Sequence, residues 1–386
     1  MFRNNLSKLS KCVLRRVKKK ILNNKEISNT PKPYKTDSDK LESEKDHHKK
    51  NCRYNEFNEL LPSHKSNVSI GIIGSGWTAA YATLLLKQNL LVNRIHFVDT
   101  RNTLEGAITD ASFMDTSPKI KYYKKKFMRN ALKDMDIIAL LDENDFKMGD
   151  SSIYAQFRSS VNYVRKTAEK MVNSCPTAMA IIFARPVTAT LPLVSEIYKS
   201  AGWYDPNRII GSVALEAMRV ETFTSRLLDL NPAYLTVPLA GGADVFSTVP
   251  LLSVSRPVNE FKKAHEDLLL SKFQNAEKEL SRTEFVGPVL SSATAIAKFL
   301  TTVTAGLNGH NKAIASAYIR SNALPFCRFF TSELQFGPNG VEKNFGLPKV
   351  SQREILLVEK SVNLINEYVD VAISEAHKQR EAKIAN

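Results

Sequence analysis

Cysteine is scarce in this 386-residue chain: four residues, Cys12, Cys52, Cys175 and Cys327, lie far apart with no C-x-x-C pair. That spacing fits neither a zinc site nor a disulfide framework and suits a reducing compartment. Long hydrophobic runs are missing too, and none reaches the roughly 20 residues that a membrane span needs. Acid is absent from the first 22 residues, MFRNNLSKLSKCVLRRVKKKIL, which hold eight basic ones. No internal repeat breaks the chain into equal units.

What is present is an ordinary globular composition, 43% hydrophobic and 24% charged, under a net charge of +15. The charge is uneven. Residues 1–66 hold 17 Lys and Arg against 8 Asp and Glu; the other 320 hold 37 against 31. The basic balance therefore belongs largely to the leader, which argues against nucleic-acid binding by the folded part. Within the first 22 residues Met1, Phe2, Leu6, Leu9, Val13, Val17 and Leu22 recur at roughly helical spacing. A basic, acid-free, amphipathic start reads as a mitochondrial targeting segment, with a basic tail or nuclear signal as the alternative. Residues 23–66 are polar with few aromatics and read as a linker.

Order is expected from Val68. The apolar run Val68–Ile73 predicts a buried strand, Gly74-Ser75-Gly76-Trp77-Thr78-Ala79 a tight turn opening a helix, and RIHFVD a second strand ending on Asp99. Strand, glycine turn, helix, strand and acid is the arrangement of a dinucleotide-binding unit. Its glycines let the backbone meet a pyrophosphate, and its carboxylate takes the ribose hydroxyls. Gly74, Gly76, Ala79 and Asp99 are the candidate cofactor residues, and a βαβ unit that binds nothing would carry the same ones. Further strands at 135–141, 178–184 and RIIGSV alternate with helices at about 151–174 and 191–200, implying a parallel sheet. After residue 213 the pattern changes. A helix at 216–230, the strand YLTVPLAG, helices near 257–283 and 289–306, strands near 314–320 and 325–335, and a last helix at about 351–380 predict an α+β second domain. The expected boundaries are thus 67–212 for a Rossmann-type domain and 213–386 for the second.

Three stretches, GWYDPNRIIGSVALEAMRVETF, LNPAYLTVPLAGGADVFSTVPLLS and FGPNGVEKNFGLPKVS, resemble the malate and lactate dehydrogenase family, above all its mitochondrial malate dehydrogenases. The similarity runs in order over about residues 68–380. The resemblance implies NAD as cofactor, no metal, and a hydride transfer that needs a histidine to shuttle a proton, a carboxylate to orient it, and arginines to clamp the substrate. Carried over position by position, the family's histidine falls on Ala243, after Gly241 and Gly242. Its carboxylate partner falls on Glu216, and one arginine is kept as Arg219. The two arginines of the mobile loop fall on Lys147 and Ile153, and the asparagine beside the nicotinamide falls on Arg185. Asp142, Glu143 and Asp145 stand where a glycine-containing turn runs under the dinucleotide, and like charges there oppose a diphosphate.

The implied protein is malate dehydrogenase-like and catalytically silent, a structural or interaction subunit in a mitochondrial protein or ribonucleoprotein assembly, located in the matrix. A divergent 2-hydroxy-acid dehydrogenase and an NAD(H)-binding sensor are the alternatives. The resemblance also implies a homodimer, with the helices at Ala80–Gln88 and Glu216–Leu230 as contributors. Two details are expected of the altered site. Arg185 or Arg219 should pair with Glu216, whose orphan carboxylate is costly to bury alone. Arg185 should also disfavour an oxidised, positively charged nicotinamide.

Overall fold

A computed structural model describes residues 68–145, 152–257, 261–281 and 287–384. The targeting segment, the linker and Lys147 lie outside the described residues. The elements run β1 (Ser69–Gly74), α1 (Trp77–Lys87), β2 (Arg94–Asp99), α2 (Glu105–Ser112), β3 (Lys119–Lys124), α3 (Met128–Leu132), β4 (Ile137–Leu140), α4 (Ile153–Ser174), β5 (Met179–Ile182), α5 (Val187–Ser200) and β6 (Ile209–Ser212). They continue with α6 (Ala214–Leu227), β7 (Leu239–Gly241), β8 (Thr248–Pro250), α7 (Lys263–Ser281), α8 (Val289–Leu307), β9 (Ile314–Arg320), β10 (Phe329–Gly337), β11 (Gly340–Asn344) and α9 (Gln352–Ile384).

Six strands pair in parallel in the order β3-β2-β1-β4-β5-β6. This is the doubly wound order of a dinucleotide-binding sheet, whose crevice opens at the carboxyl ends of β1 and β4. The central strands β1, β4, β5 and β6 are buried throughout, so they read as largely continuous apolar runs. Ile70 and Ile72 of β1 face one core with α1, α2 and α8, and Ile73 faces the other with α3, α4, α5, α7 and α9. The later strands do not form a separate sheet. β9 pairs antiparallel with β6 through Gly211–Tyr318, and β10, β7, β8 and β11 follow. The described residues from 68 onward cluster as one compact unit across the end of β6 at Ser212.

Four expectations are corrected. The strand foreseen through YLTVPLAG is confined to Leu239–Gly241, with an isolated bridge at Thr236. The helix foreseen near 257 begins at Lys263, since Arg256 is tied to Thr236 as a bridge partner. Lys119–Lys124 and Gly340–Asn344, too charged to stand out as apolar runs, are strands. Finally, α8 is long and apolar enough to cross a membrane by length and composition. Its residues Ala293, Ile296, Leu300 and Val303 are buried in the core against α1 and β10, as in a core helix.

Candidate functional site

The glycine turn joins β1 to α1. Gly76 occupies the N-cap with φ −87° and offers no side chain to the first free N–H groups of the helix. Such groups form a ready seat for an anion. Here the anion is Asp145, from the segment after β4. Its carboxylate accepts from the Trp77 N–H (2.8 Å), the Thr78 N–H (2.8 Å) and the Thr78 hydroxyl (2.9 Å). The fit is close: a Cβ on Gly76 would lie 2.4 Å from Asp145 Oδ1. Gly74 and Ala79 serve packing, a Cβ on Gly74 lying 3.3 Å from that of Ala79.

Asp99 is fully buried and occupied as well. It accepts from the Ser75 hydroxyl (2.7 Å), the Leu104 N–H (2.8 Å), the Arg101 N–H (3.0 Å) and the Tyr122 hydroxyl (3.2 Å). Burial alone would raise its pKa, but these hydrogen bonds to the charged form outweigh burial and hold it below the usual value. The carboxylate foreseen for a ribose therefore ties β2 to the turns around it.

The other two acids after β4 are neutralised locally. Asp142 binds the Arg185 N–H (2.8 Å) and its guanidinium (3.0 and 2.9 Å). Glu143 lies 3.9 Å from Arg101 and 3.8 Å from Lys125. The uncompensated repulsion expected of this run is thus relieved within the chain, and Arg185 presents a balanced charge instead of a bare one. The foreseen bias against an oxidised nicotinamide loses its basis.

The substrate end is built by α6 and the β7–β8 loop. Glu216 and Arg219, both buried, lie one turn apart on α6. Burial lifts the Glu216 pKa to about 7, partly opposed by the charges of Arg219 and Arg185. Neither arginine pairs with it. Arg219 turns to Glu277 of α7 (3.1 Å), and Arg185 is held by Asp142. The expected Glu216 ion pair is therefore absent among the described residues, because nearer carboxylates claim both cations. The carboxyl instead sits at the threshold of protonation.

Ala243 is buried, and its N–H donates to the Thr188 hydroxyl (3.0 Å). Gly241 and Gly242 admit their own loop in place of a ligand. Gly241 adopts φ +93°, and a Cβ there would lie 2.2 Å from the Ser247 carbonyl oxygen. Asp244 organises the loop, accepting from the Thr188 hydroxyl (2.7 Å) and the Phe246 and Ser247 N–H groups (2.9 and 3.0 Å). Ile153 is buried at the start of α4.

The structure gathers Gly76, Ala79, Arg185, Glu216 and Ala243 around one cavity of about 50 Å³, closed by Phe183, Ser292 and Ile296. A wider crevice of about 740 Å³ runs between Gly76, Asp142–Asp145 and α4. A dinucleotide bound in this crevice would meet groups that the chain already uses. Its diphosphate would have to displace Asp145, and its ribose would compete with four donors to Asp99. Among the described residues no cluster of His, Cys, Asp and Glu could hold a metal.

Sequence reasoning missed Asp145 as a cap, Glu277 as the partner of Arg219, and Asp244 as the anchor of the loop. Asp244 carried a signal: Asp followed by Ser three residues later is a turn-forming pattern. The role of Asp145 needed the fold, because 67 residues separate it from Thr78.

Comparison with known proteins agrees with this geometry. A family model for the lactate/malate dehydrogenase NAD binding domain matches residues 68–211. Mitochondrial malate dehydrogenase of Caenorhabditis elegans is 32% identical over 289 residues, 74% of this chain and 84% of that protein. The Homo sapiens mitochondrial enzyme is 29% identical over 304 residues, 78% of this chain and 89% of its own. Malate dehydrogenase of Picrophilus torridus superimposes with a TM-score of 0.68 at 17% identity, covering 81% of this chain and 99% of that one. That of Cryptosporidium parvum gives 0.68 at 18% identity, with 80% and 99% covered. With its parallel strand order, its glycine turn and 32% identity to a malate dehydrogenase over 74% of its length, the chain belongs to the lactate/malate dehydrogenase family.

Proposed function

We propose that this family member does not interconvert malate and oxaloacetate, and that its fold is kept as a structural or interaction subunit of a mitochondrial assembly. The observation that carries this reading is Ala243. An acid/base group typically contributes two to four orders of magnitude in rate, and a methyl side chain contributes none of it. Nothing around the cavity replaces it. The lining residues include no histidine. Among the described histidines, His96 lies on β2 with its Nδ1 2.7 Å from the Ala131 carbonyl oxygen. Glu216 can hold a proton near neutrality, but it is buried and faces a cavity of about 50 Å³.

The mitochondrial location rests on the basic leader and on relatives that work there, though one relative, from Cucumis sativus, is glyoxysomal. Self-association is part of the proposal. Trp77, Tyr81 and Leu85 recur one turn apart on α1 and are all exposed, with the first two rings 5.8 Å apart. Such a stripe on a two-fold partner's copy of itself would be covered. A second reading, a sensor that binds NAD(H) without turnover, is favoured by the 740 Å³ crevice and the intact glycine turn.

The test uses the full chain. NADH binding is measured by fluorescence, and oxaloacetate-dependent NADH oxidation is followed in the same sample. Neither signal is expected. Binding without oxidation would favour the sensor, and oxidation at a family-like rate would overturn the proposal.

A further inference from the structure

The mean charge of the folded part conceals one concentrated run. Residues 119–133, KIKYYKKKFMRNALK, hold seven basic side chains and no acidic one. They form β3, the turn after it and α3. β3 is the outermost strand of the sheet, paired only with β2 among the described residues.

The register places the charges together. Arg94 pairs with Lys119, His96 with Lys121 and Val98 with Tyr123, so these residues share one face of the sheet. α3 lies over that face: the Ala131 carbonyl contacts His96 Nδ1 (2.7 Å), and the His96 and Tyr123 rings are 5.0 Å apart. Arg94 reaches the Asp134 carbonyl (2.7 Å) just beyond α3. Lys119, Lys121, Lys125, Lys126, Arg129 and Lys133 are exposed around it.

Two ion pairs oppose these charges, and the exposed Asp134 and Asp136 follow the run. Lys124 pairs with Glu105 (3.0 Å), and Lys125 is 3.8 Å from Glu143. Lys119, Lys121, Lys126, Arg129, Lys133 and Arg94 form no ion pair among the described residues. Arg94 spends its donors on neutral oxygens of Ser69 and Asp134. His96 registers the local field: burial first, then the charges of Arg94 and Lys121, push its pKa down against a backbone hydrogen bond. The lysines and arginines carry the patch.

Aromatic rings lie among the cations. Phe127 is 46% exposed with Lys126 Nζ 4.9 Å from its centroid, and Lys121 Nζ is 5.1 Å from that of Tyr123. A linear array of cations with interleaved rings suits a flexible chain of phosphates carrying bases that can stack. A lipid surface would need more apolar insertion than one exposed ring offers. We propose that this open sheet edge binds single-stranded nucleic acid, through its phosphates and without sequence preference. This surface is far in sequence from the catalytic loop, and the proposal holds whether or not that site turns over.

The experiment is fluorescence anisotropy of the full chain with a labelled oligouridine of about 20 nucleotides, across about 50 to 200 mM salt. The basic leader is the confounding group, so two triple variants are compared. One is Lys119→Glu, Lys121→Glu, Lys126→Glu; the other is Lys18→Glu, Lys19→Glu, Lys20→Glu. Thermal unfolding by circular dichroism confirms that both keep the fold. The edge variant is expected to bind at least about tenfold more weakly and to flatten the log–log salt slope by about 2, from three lost contacts on a single strand. Parallel sedimentation uses phosphatidylcholine vesicles with about one-third phosphatidylglycerol. Edge-dependent binding to the vesicles alone, no oligouridine binding by the parent, or loss of binding in the leader variant alone would each overturn the proposal.

Discussion

The glycine turn at Gly76 and the Gly-Gly loop at Gly241 have met the same fate by different routes. In each, an aspartate of the chain has taken the donors that a ligand or a working loop would otherwise use. Asp145 sits on the N–H groups of α1, and Asp244 gathers those of the β7–β8 loop. The difference lies in what remains underneath. At the turn, every backbone donor is still in place, and only the occupant would have to move. At the loop, Ala243 carries only a methyl group, which can move no proton however the loop rearranges. One site is occupied by a movable group, and the other presents a side chain with no proton to give.

That contrast can be broken at its stiffest point. Gly241→Ala places a Cβ 2.2 Å from a backbone oxygen at φ +93°, where neither atom can yield cheaply. Strain and clash together should cost about 4 kcal/mol, read as a large fall in the thermal midpoint. Gly76→Ala has an ordinary φ but meets the Asp145 carboxylate at 2.4 Å and its backbone nitrogen at 2.5 Å, so it should displace the segment after β4 at a smaller cost than Gly241→Ala. Equal losses in the two variants would mean that the turn is as rigid as the loop.

Glu216 sharpens the comparison through pH. Its folded pKa, about 7, lies above its ordinary value of 4.5. Between those values the unfolded chain ionises while the folded one keeps its proton, so stability is lost as pH rises from about 4.5 through 7. Glu216→Gln removes that dependence. Its advantage over the parent should be small at pH 5 and approach about 3 kcal/mol at pH 8. An advantage that does not grow with pH would mean that the carboxyl is ionised in the fold, paired with Arg219 after all.

Much of this was readable before the fold was seen. The apolar runs of β1, β4 and β5 declared a sheet buried on both faces, and the Gly74–Ala79 turn followed by Asp99 announced the nucleotide crevice. Ala243, Glu216 and Arg219 were placed by the similarity of flanking stretches. Partner choice was not readable. Arg185, Arg219 and Glu216 form one charge system, but which acid takes which cation depends on Asp142 at the end of β4 and Glu277 on α7. These segments are remote in sequence and meet only when packed. Asp145 failed for a related reason. Counted as one of three carboxylates, it signified repulsion; folded onto a helix N-terminus, the same charge is a stabilising cap.

Asp145 also carries the smallest prediction and the one that decides between closure and loss. Asp145→Ala removes three hydrogen bonds from the start of α1. As for other caps, the stability cost should be about 1 kcal/mol, and the freed N–H groups then face the crevice. Removing a like charge and an occupant together should tighten NADH or ADP-ribose binding at least about tenfold, a gain of about 1.4 kcal/mol. Oxaloacetate turnover should stay absent, since Ala243 is untouched. Titrating the variant and parent side by side separates the two routes. If binding appears without turnover, the turn is closed by conformation alone. If binding stays absent although the cap energy is lost, Asp99 and the 50 Å³ cavity are closed on their own account, and the nucleotide site has been emptied as thoroughly as the catalytic one.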